Sequence, residues 1–326
     1  KRKKIKFKKN NIITVIVQRL RYIIATIFVV ISFVVMGQQA PMFTNYSNSY
    51  AGINPGFGGL SEGLNLMGIY RDQWTGFKDM QGNAIAPKTM LFSGDMPVKV
   101  LRGGVSLAIM QDSYGFEDNT NVNMGYSYHL DLGPGILGIG LSLNLINRSV
   151  DFSNFIPTVD QDPALPTGEQ SSMLVDAGFG LFWQIPETFY IGLSATNIFE
   201  SKGKELLESS STSISFMGDR TFYLTAGYEY QFNNPVFVLL PSLCLMSNVA
   251  STQINAGAKL LYNNKFWVGV NYRYQESVAA MAGFKINDIQ ISYSYDINTL
   301  GIGVQGSHEV CISYLLKMNL EKSPRI

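Results

Sequence analysis

Charge is scarce in this 326-residue chain: Asp, Glu, Lys and Arg make up 15% of it, against roughly a quarter in ordinary soluble proteins. A domain surrounded by water needs more charge on its surface than that. There are only two cysteines, Cys244 and Cys311, far apart and inside apolar segments, so they read as buried small hydrophobes and not as a disulfide framework or a metal site. Histidine is as rare, with His129 and His308 alone, too few for a zinc centre of three or four ligands. No segment beyond residue 37 holds 18 consecutive apolar residues, which excludes membrane-spanning helices there.

Basic charge is sparse over most of the chain as well. Nine of the 25 Lys and Arg fall before Ile23, which leaves 16 against 24 acidic residues and a net charge near −8 for the remainder. Nucleic acid is therefore a poor partner, since phosphate binding needs a basic face. The nine cations and the apolar stretch Ile23–Val35 read as the n- and h-regions of a signal peptide spanning 1–37, with cleavage expected between Gly37 and Gln38.

What the remainder has in abundance is alternation. Leu137, Ile139, Leu141, Leu143 and Leu145 are apolar, with Gly138, Gly140, Ser142 and Asn144 between them. The pattern returns in Phe222–Gln231, Phe266–Gln275 and Ile289–Asp296. A period of two puts one apolar and one small or polar face on a β-strand. Such a strand suits a soluble sandwich or a membrane barrel with its apolar face outward. Segments of about 9–11 residues cross a bilayer at a tilt, and the apolar faces here end in Tyr, Phe or Trp as interfacial girdles do.

Fourteen such segments are centred near Leu66, Met90, Leu107, Met124, Leu141, Phe179, Leu193, Thr225, Leu243, Ala258, Val270, Ala282, Tyr293 and Ile312. Alternate connections carry turn chemistry, as in Asn233-Asn234-Pro235, Asn263-Asn264 and Asn287-Asp288, while the long Asp151–Gln170 and Asn197–Asp219 fall on the other parity. Outer-membrane barrels sort their loops in this way, and a sandwich has no reason to. The fold expected is all-β: a transmembrane antiparallel β-barrel of about 14 strands over 63–317, in the outer membrane of a Gram-negative bacterium. A periplasmic or luminal segment (38–62) precedes it and a tail (318–326) follows.

Several short motifs resemble a known family. Gln38-Gln39-Ala40-Pro41-Met42-Phe43, then Asn54-Pro55-Gly56-Phe57-Gly58-Gly59, look like the opening of PorP/SprF proteins. Tyr70-Arg71-Asp72-Gln73-Trp74-Thr75-Gly76-Phe77 is similar to the family's Y-R-x-Q-W-x-G-F, and Tyr293-Ser294-Tyr295-Asp296 with Gly306-Ser307-His308-Glu309 to its terminal elements. Many members stop at a terminal aromatic, whereas here the last strand is followed by Lys317–Ile326, so the barrel-assembly signal is expected to be weaker or internal. The resemblance implies a component of the type IX secretion and gliding machinery that helps secrete or anchor a large surface adhesin by binding its C-terminal sorting domain. Periplasmic parts of the same machine and outer-membrane lipid are further expected partners. An outer-membrane channel for small or hydrophobic solutes is the alternative.

Candidate residues follow. Arg71, Gln73, Trp74 and Phe77 are placed at the first outer loop, as an aromatic girdle or as partner contacts. Phe152, Phe155, Ile156 and Pro157, with Phe199, Leu206 and Leu207, are more apolar than solvated loops need, and either cap the barrel or meet a partner. Asp176, Glu229, Lys259, Arg273, Lys285, Asp296 and Glu309 are expected to face inward, most of them forming a luminal charge network of mixed sign, which argues against a strongly ion-selective pore. The Gly-rich Asn54–Gly59 reads as a periplasmic turn or as a luminal plug. Ser127, His129 and Asp131 share a face, but Ser127 and His129 stand about 7 Å apart along a strand, too far for a nucleophile and its base. No enzyme, cofactor or metal is expected.

Overall fold

Strict alternation commits each segment to a sheet with one wet and one apolar face, and the computed structural model closes that sheet on itself. It describes residues 40–61, 63–79, 82–154, 168–209, 212–248, 250–301 and 304–317. The expected signal peptide and tail lie outside the described residues. The strands are β1 (Gly63–Asp72), β2 (Lys88–Val98), β3 (Gly103–Tyr114), β4 (Glu117–Leu132), β5 (Gly135–Asp151), β6 (Glu169–Ile185), β7 (Phe189–Thr196), β8 (Lys202–Ser209), β9 (Thr212–Met217), β10 (Thr221–Tyr228), β11 (Tyr230–Gln231), β12 (Phe237–Asn248), β13 (Thr252–Tyr262), β14 (Phe266–Arg273), β15 (Ser277–Ile286), β16 (Ile289–Asn298) and β17 (Ser307–Lys317).

Neighbours pair antiparallel throughout, β7 meets β10 and β10 meets β12, and β1 pairs with β17 from Gly63↔Lys317 to Asp72↔His308. With β10 and β11 counted as one stave interrupted at Glu229, the wall is a closed 14-stranded antiparallel barrel. Each of the fourteen expected centres falls on a wall strand. The hairpin β8–β9 stands apart from the wall, within the connection from β7 to β10.

Connections at one rim are all short. At that rim Asn263 and Asn264 both take positive φ (52° and 51°), the mirror-image turn whose twist matches two antiparallel strands. The long connections 73–87, 152–168 and 197–220 lie at the other rim, the extracellular one by the usual asymmetry of these barrels. The connection at 115–116 on that rim is short too, so the sorting by parity is carried by three loops of seven.

Exposure follows the alternation. On β5, Leu141 and Leu143 are exposed (65% and 45%), while Gly138, Gly140, Ser142 and Asn144 are buried. Aromatic pairs mark the periplasmic interface, with Trp183 against Phe189 and Phe237 against Tyr262. Leu141→Arg on this lipid-facing band should destabilise the barrel by about 2–4 kcal/mol in urea unfolding from lipid vesicles, as cations near the bilayer midplane do.

Strands β4, β5 and β6 run 16, 17 and 17 residues, longer than the expected crossing. Their outer ends are polar (Glu117, Asp118, Asn119, Arg148, Gln170, Ser171), so pairing continues past the bilayer into water as a ribbon.

Candidate functional site at the outer mouth

The lumen is occupied by residues 40–60, which form a strap with three short helical turns, Tyr46–Asn48, Tyr50–Ile53 and Pro55–Phe57. Of the two readings of Asn54–Gly59, the segment takes the luminal one and packs on the inner wall. The wall accommodates it by having no side chains there: a Cβ on Gly140 would stand 2.2 Å from the Pro55 carbonyl carbon, and one on Gly138 2.0 Å from Gly56 O. Ser127 Oγ donates to Gly56 O (2.9 Å) and His129 Nε2 to Gly58 O (3.0 Å). Ser127 and His129, which invited a catalytic reading, thus hold backbone, and Asp131 is exposed.

Backbone groups outside a sheet must find partners elsewhere when buried, and side chains from around the barrel supply them. Ser194 Oγ donates to Ile53 O (2.7 Å) and Gln184 Nε2 to Leu60 O (3.1 Å), while the strap's own Asn54 Nδ2 donates back to Leu181 O of the wall (3.0 Å). Asn271 Nδ2 donates to Thr44 O (3.0 Å) and Arg273 Nη2 to Met42 O (3.1 Å). Apolar packing completes the seat. Met42, Tyr46, Tyr50 and Leu60 bury against Phe182, Cys244 and Met246, and Phe43 buries against Met67, Ile69, Leu91 and Cys311. The inner face is therefore apolar at these two seats, not uniformly polar. Tyr50 sits among Phe57, Phe182 and Tyr190 with centroids 5.3–5.6 Å away, and its hydroxyl meets that of Tyr190 at 2.5 Å.

A charged clamp grips the strap. Arg71 Nη2 meets Asp296 Oδ2 at 2.8 Å and its Nη1 meets Glu309 Oε2 at 3.2 Å. The same carboxylates take the strap: the Thr44 amide donates to Glu309 Oε2 and the Asn45 amide to Oε1 (both 2.8 Å), and the Thr44 hydroxyl donates to Asp296 (2.8 Å). Arg273 adds a pair with Glu276 (2.7 Å) and a longer one with Asp296 (3.8 Å). Three motifs that carried the resemblance, separated by 225 and 238 residues along the chain, meet in this clamp.

Arg71 therefore departs from its expected place. It is 1% exposed and faces the lumen, because its parity on β1 matches that of Met67 and Ile69. Gln73 accepts from its Nε at 3.3 Å. Of the charges expected in the network (Glu229, Lys259, Arg273, Lys285, Asp296 and Glu309), Arg273, Asp296 and Glu309 belong to it. Lys259 is buried but makes no ion pair among the described residues, with Nζ on Ser47 Oγ at 2.7 Å and 4.6 Å from the Trp267 centroid. Lys285 and Glu229 do not join. Both have inward parity but lie near the periplasmic rim, where Lys285 is exposed and Glu229 half-buried at the break between β10 and β11.

At the outer mouth the strap's first residues separate two cavities. One of about 180 Å³ is lined by Met42, Met110, Met217, Met246, Tyr223 and Arg148. One of about 380 Å³ is lined by Gln73, Trp74, Ser251, Gln275 and again Ala40–Met42. Trp74, at φ 54°, is half-buried, and Phe77 is exposed with its ring edge-on to the indole.

Hairpin β8–β9 leans on the projecting ribbon. Lys204 N donates to Ser172 Oγ (2.7 Å), and Arg148 donates to Met217 O (3.1 Å) while pairing with Glu117 (2.7 Å). Asp176 fixes the root of this loop, accepting from the Phe199 and Ser201 amides at 3.0 and 2.9 Å. Phe199 is 73% exposed above it, and Phe152 is half-buried. Phe155 and Ile156 lie outside the described residues, as does Pro157, and for Leu206 and Leu207 only the backbone, on β8, is described. Asp176→Ala should free the loop while the wall stays closed. Tryptic cleavage at Lys202, Lys204 or Arg220 should then accelerate at least tenfold; an unchanged digest would show that the hairpin holds without the carboxylate.

Sequence reading passed over Thr44, Asn45, Asn255 and Asn271; for the last two the signal was an amide side chain on an inward strand position. No curated protein matches the chain. Solved structures similar to it include the Ralstonia pickettii toluene transporter TbuX (13% identity, 82% of this chain and 94% of that one, TM-score 0.48). The P. putida toluene transporter TodX (11%, 83% and 94%, TM-score 0.48) and the Acinetobacter baumannii outer membrane protein Omp33 (6%, 79% and 100%, TM-score 0.42) are others. The model of the type IX secretion system membrane protein PorP/SprF matches residues 35–314, so the chain belongs to that family and resides in the outer membrane of a Gram-negative bacterium.

Proposed function

We propose that this barrel serves type IX secretion as a surface receptor, holding the C-terminal domain of a large secreted adhesin on its outer loops. The observation that carries this reading is the filled lumen: a strap held by side chains on β4, β6, β7, β14, β16 and β17, among them Gln184 on the Leu60 carbonyl, favours a scaffold over a passive solute channel. A rigid scaffold with mobile chemistry on its loops is how recognition is commonly built. Here the ribbon of β4–β6, the hairpin β8–β9 and the exposed Phe199 stand together on one face. Binding there leaves the wall free for lipid and the opposite rim for periplasmic parts of the secretion machine.

The test is recovery of the tagged barrel from its native membrane in mild detergent, with mass spectrometry of what accompanies it. Co-recovery of a large sorting-domain protein is expected, and its loss when 152–157 and 199–207 are replaced by Gly/Ser. Recovery of the barrel alone, with conductance in a planar bilayer, would favour the solute channel instead.

A further inference from the structure

Below the strap, toward the periplasmic rim, lies a third cavity of about 320 Å³. The turn at 186–188, strands β12 and β13, and Ser47–Tyr50 of the strap enclose it. Its lining is mixed, with Tyr50, Tyr190, Trp267 and Leu240 beside the polar Gln184 and Gln290. Among the described residues Lys259 is the sole cation lining it.

That ammonium is unusual for a buried group. It is 9% exposed, and among the described residues no carboxylate comes within 4.0 Å of it. The neighbouring carboxylates of the clamp are engaged elsewhere: Glu309 accepts from the Thr44 and Asn45 amides and from Arg71, and Asp296 from Thr44 and Arg71. An ammonium carries three donors. One reaches Ser47 Oγ and one face rests against the Trp267 ring, which leaves a donor for the cavity. Burying a charge is costly unless it is paired, and an anion in the cavity supplies the pair.

The rim narrows the choice of anion. Glu187 and Glu229 both line the entrance and no second cation accompanies Lys259, so a phosphate or any multiply charged ligand meets repulsion with one compensating contact. A single carboxylate, with one charge for the one ammonium, carries the smallest such penalty of any anion. We infer that this cavity binds an organic monocarboxylate with an aromatic or branched aliphatic body, its carboxylate on Lys259 and its body against Trp267 and Tyr190. The volume is at the lower end of small-molecule pockets and suits either a small acid or the last residue or two of a peptide entering from the periplasm.

The experiment is calorimetric titration of the full-length barrel in lipid nanodiscs with four probes: 4-phenylbutyrate and its amide, and a short peptide ending in Phe with a free or an amidated C-terminus. The acids should bind at least tenfold tighter than their amides. Lys259→Met, which keeps the stem over Trp267, should abolish that preference with little change in the urea midpoint. Binding of the free-carboxylate peptide alongside the small acid assigns the cavity to a protein C-terminus, and binding of phenylbutyrate alone assigns it to a small metabolite. Equal affinity for acid and amide, or no binding by either acid, overturns the inference; that comparison uses the unaltered chain and stands even if the variant fails to fold.

Discussion

Arg71→Met is expected to cost the folded barrel about 3–5 kcal/mol, the usual penalty for removing one partner of a buried ion pair. Methionine keeps much of the side chain's length and apolar volume, so the loss is of charge and donors. The clamp would retain Asp296, Glu309 and Glu276 with Arg273 alone to balance them. Thr44 and Asn45 still donate to the carboxylates, but neutral donors compensate a buried anion only in part. Urea unfolding of barrels refolded into vesicles reads the effect as a lowered midpoint. Arg71→Met combined with Asp296→Asn should recover part of it, because one of the stranded charges is gone. If Arg71→Met alone unfolds at the wild-type midpoint, the strap's amides suffice and the guanidinium contributes nothing to the clamp.

The second large effect is on permeability. Pro55 and Gly56 touch the wall at Gly138, Gly140 and Gly180, where backbone meets backbone with no room for a Cβ. Gly140→Val must push the Pro55–Gly56 turn off the wall, while the side chain itself has the β-propensity the strand prefers. The expected result is a barrel that still migrates as folded on a gel but conducts ions in a planar bilayer, where the unaltered protein does not. Gly68→Val is the control. A Cβ there meets nothing within 4 Å, and the closed state should persist. Equal conductance in Gly140→Val and the parent would mean that the strap is not what seals the lumen.

These effects lie where sequence reading stopped short. The wall was legible because a period of two is local: five residues around Leu141 or Val270 suffice to assign two faces, and closure follows from repeating the pattern to an even count. The strap has no period. Thr44 and Asn45 are held by carboxylates 252 to 265 residues away, and no window along the chain contains both. Parity also says which face a charge takes without saying how deep it sits. Lys285 and Lys259 share inward parity, yet one lies at the wet rim and the other beneath Ser47. Arg71 was misplaced for a related reason. Flanked by Tyr70 and Trp74 it resembles an interfacial girdle, and only the register Arg71↔Glu309 aims it at a carboxylate. Strand length was underestimated on β4–β6 because their polar ends look like loop and pair nonetheless.

An even-stranded barrel returns its chain to the side it left, so both ends ordinarily share a compartment. The strap changes the count. It runs from Ala40, beside Trp74 and Gln275 at the outer mouth, to Leu60, whose carbonyl accepts from Gln184 near the periplasmic end of β6. Fourteen staves plus one inner traverse make an odd number of crossings, and the two ends of the described chain, Ala40 and Lys317, emerge on opposite faces of the membrane. An epitope inserted at Ala40 would be open to antibody on whole cells and one at Lys317 would not, which gives this wall a polarity that its pairing alone does not possess.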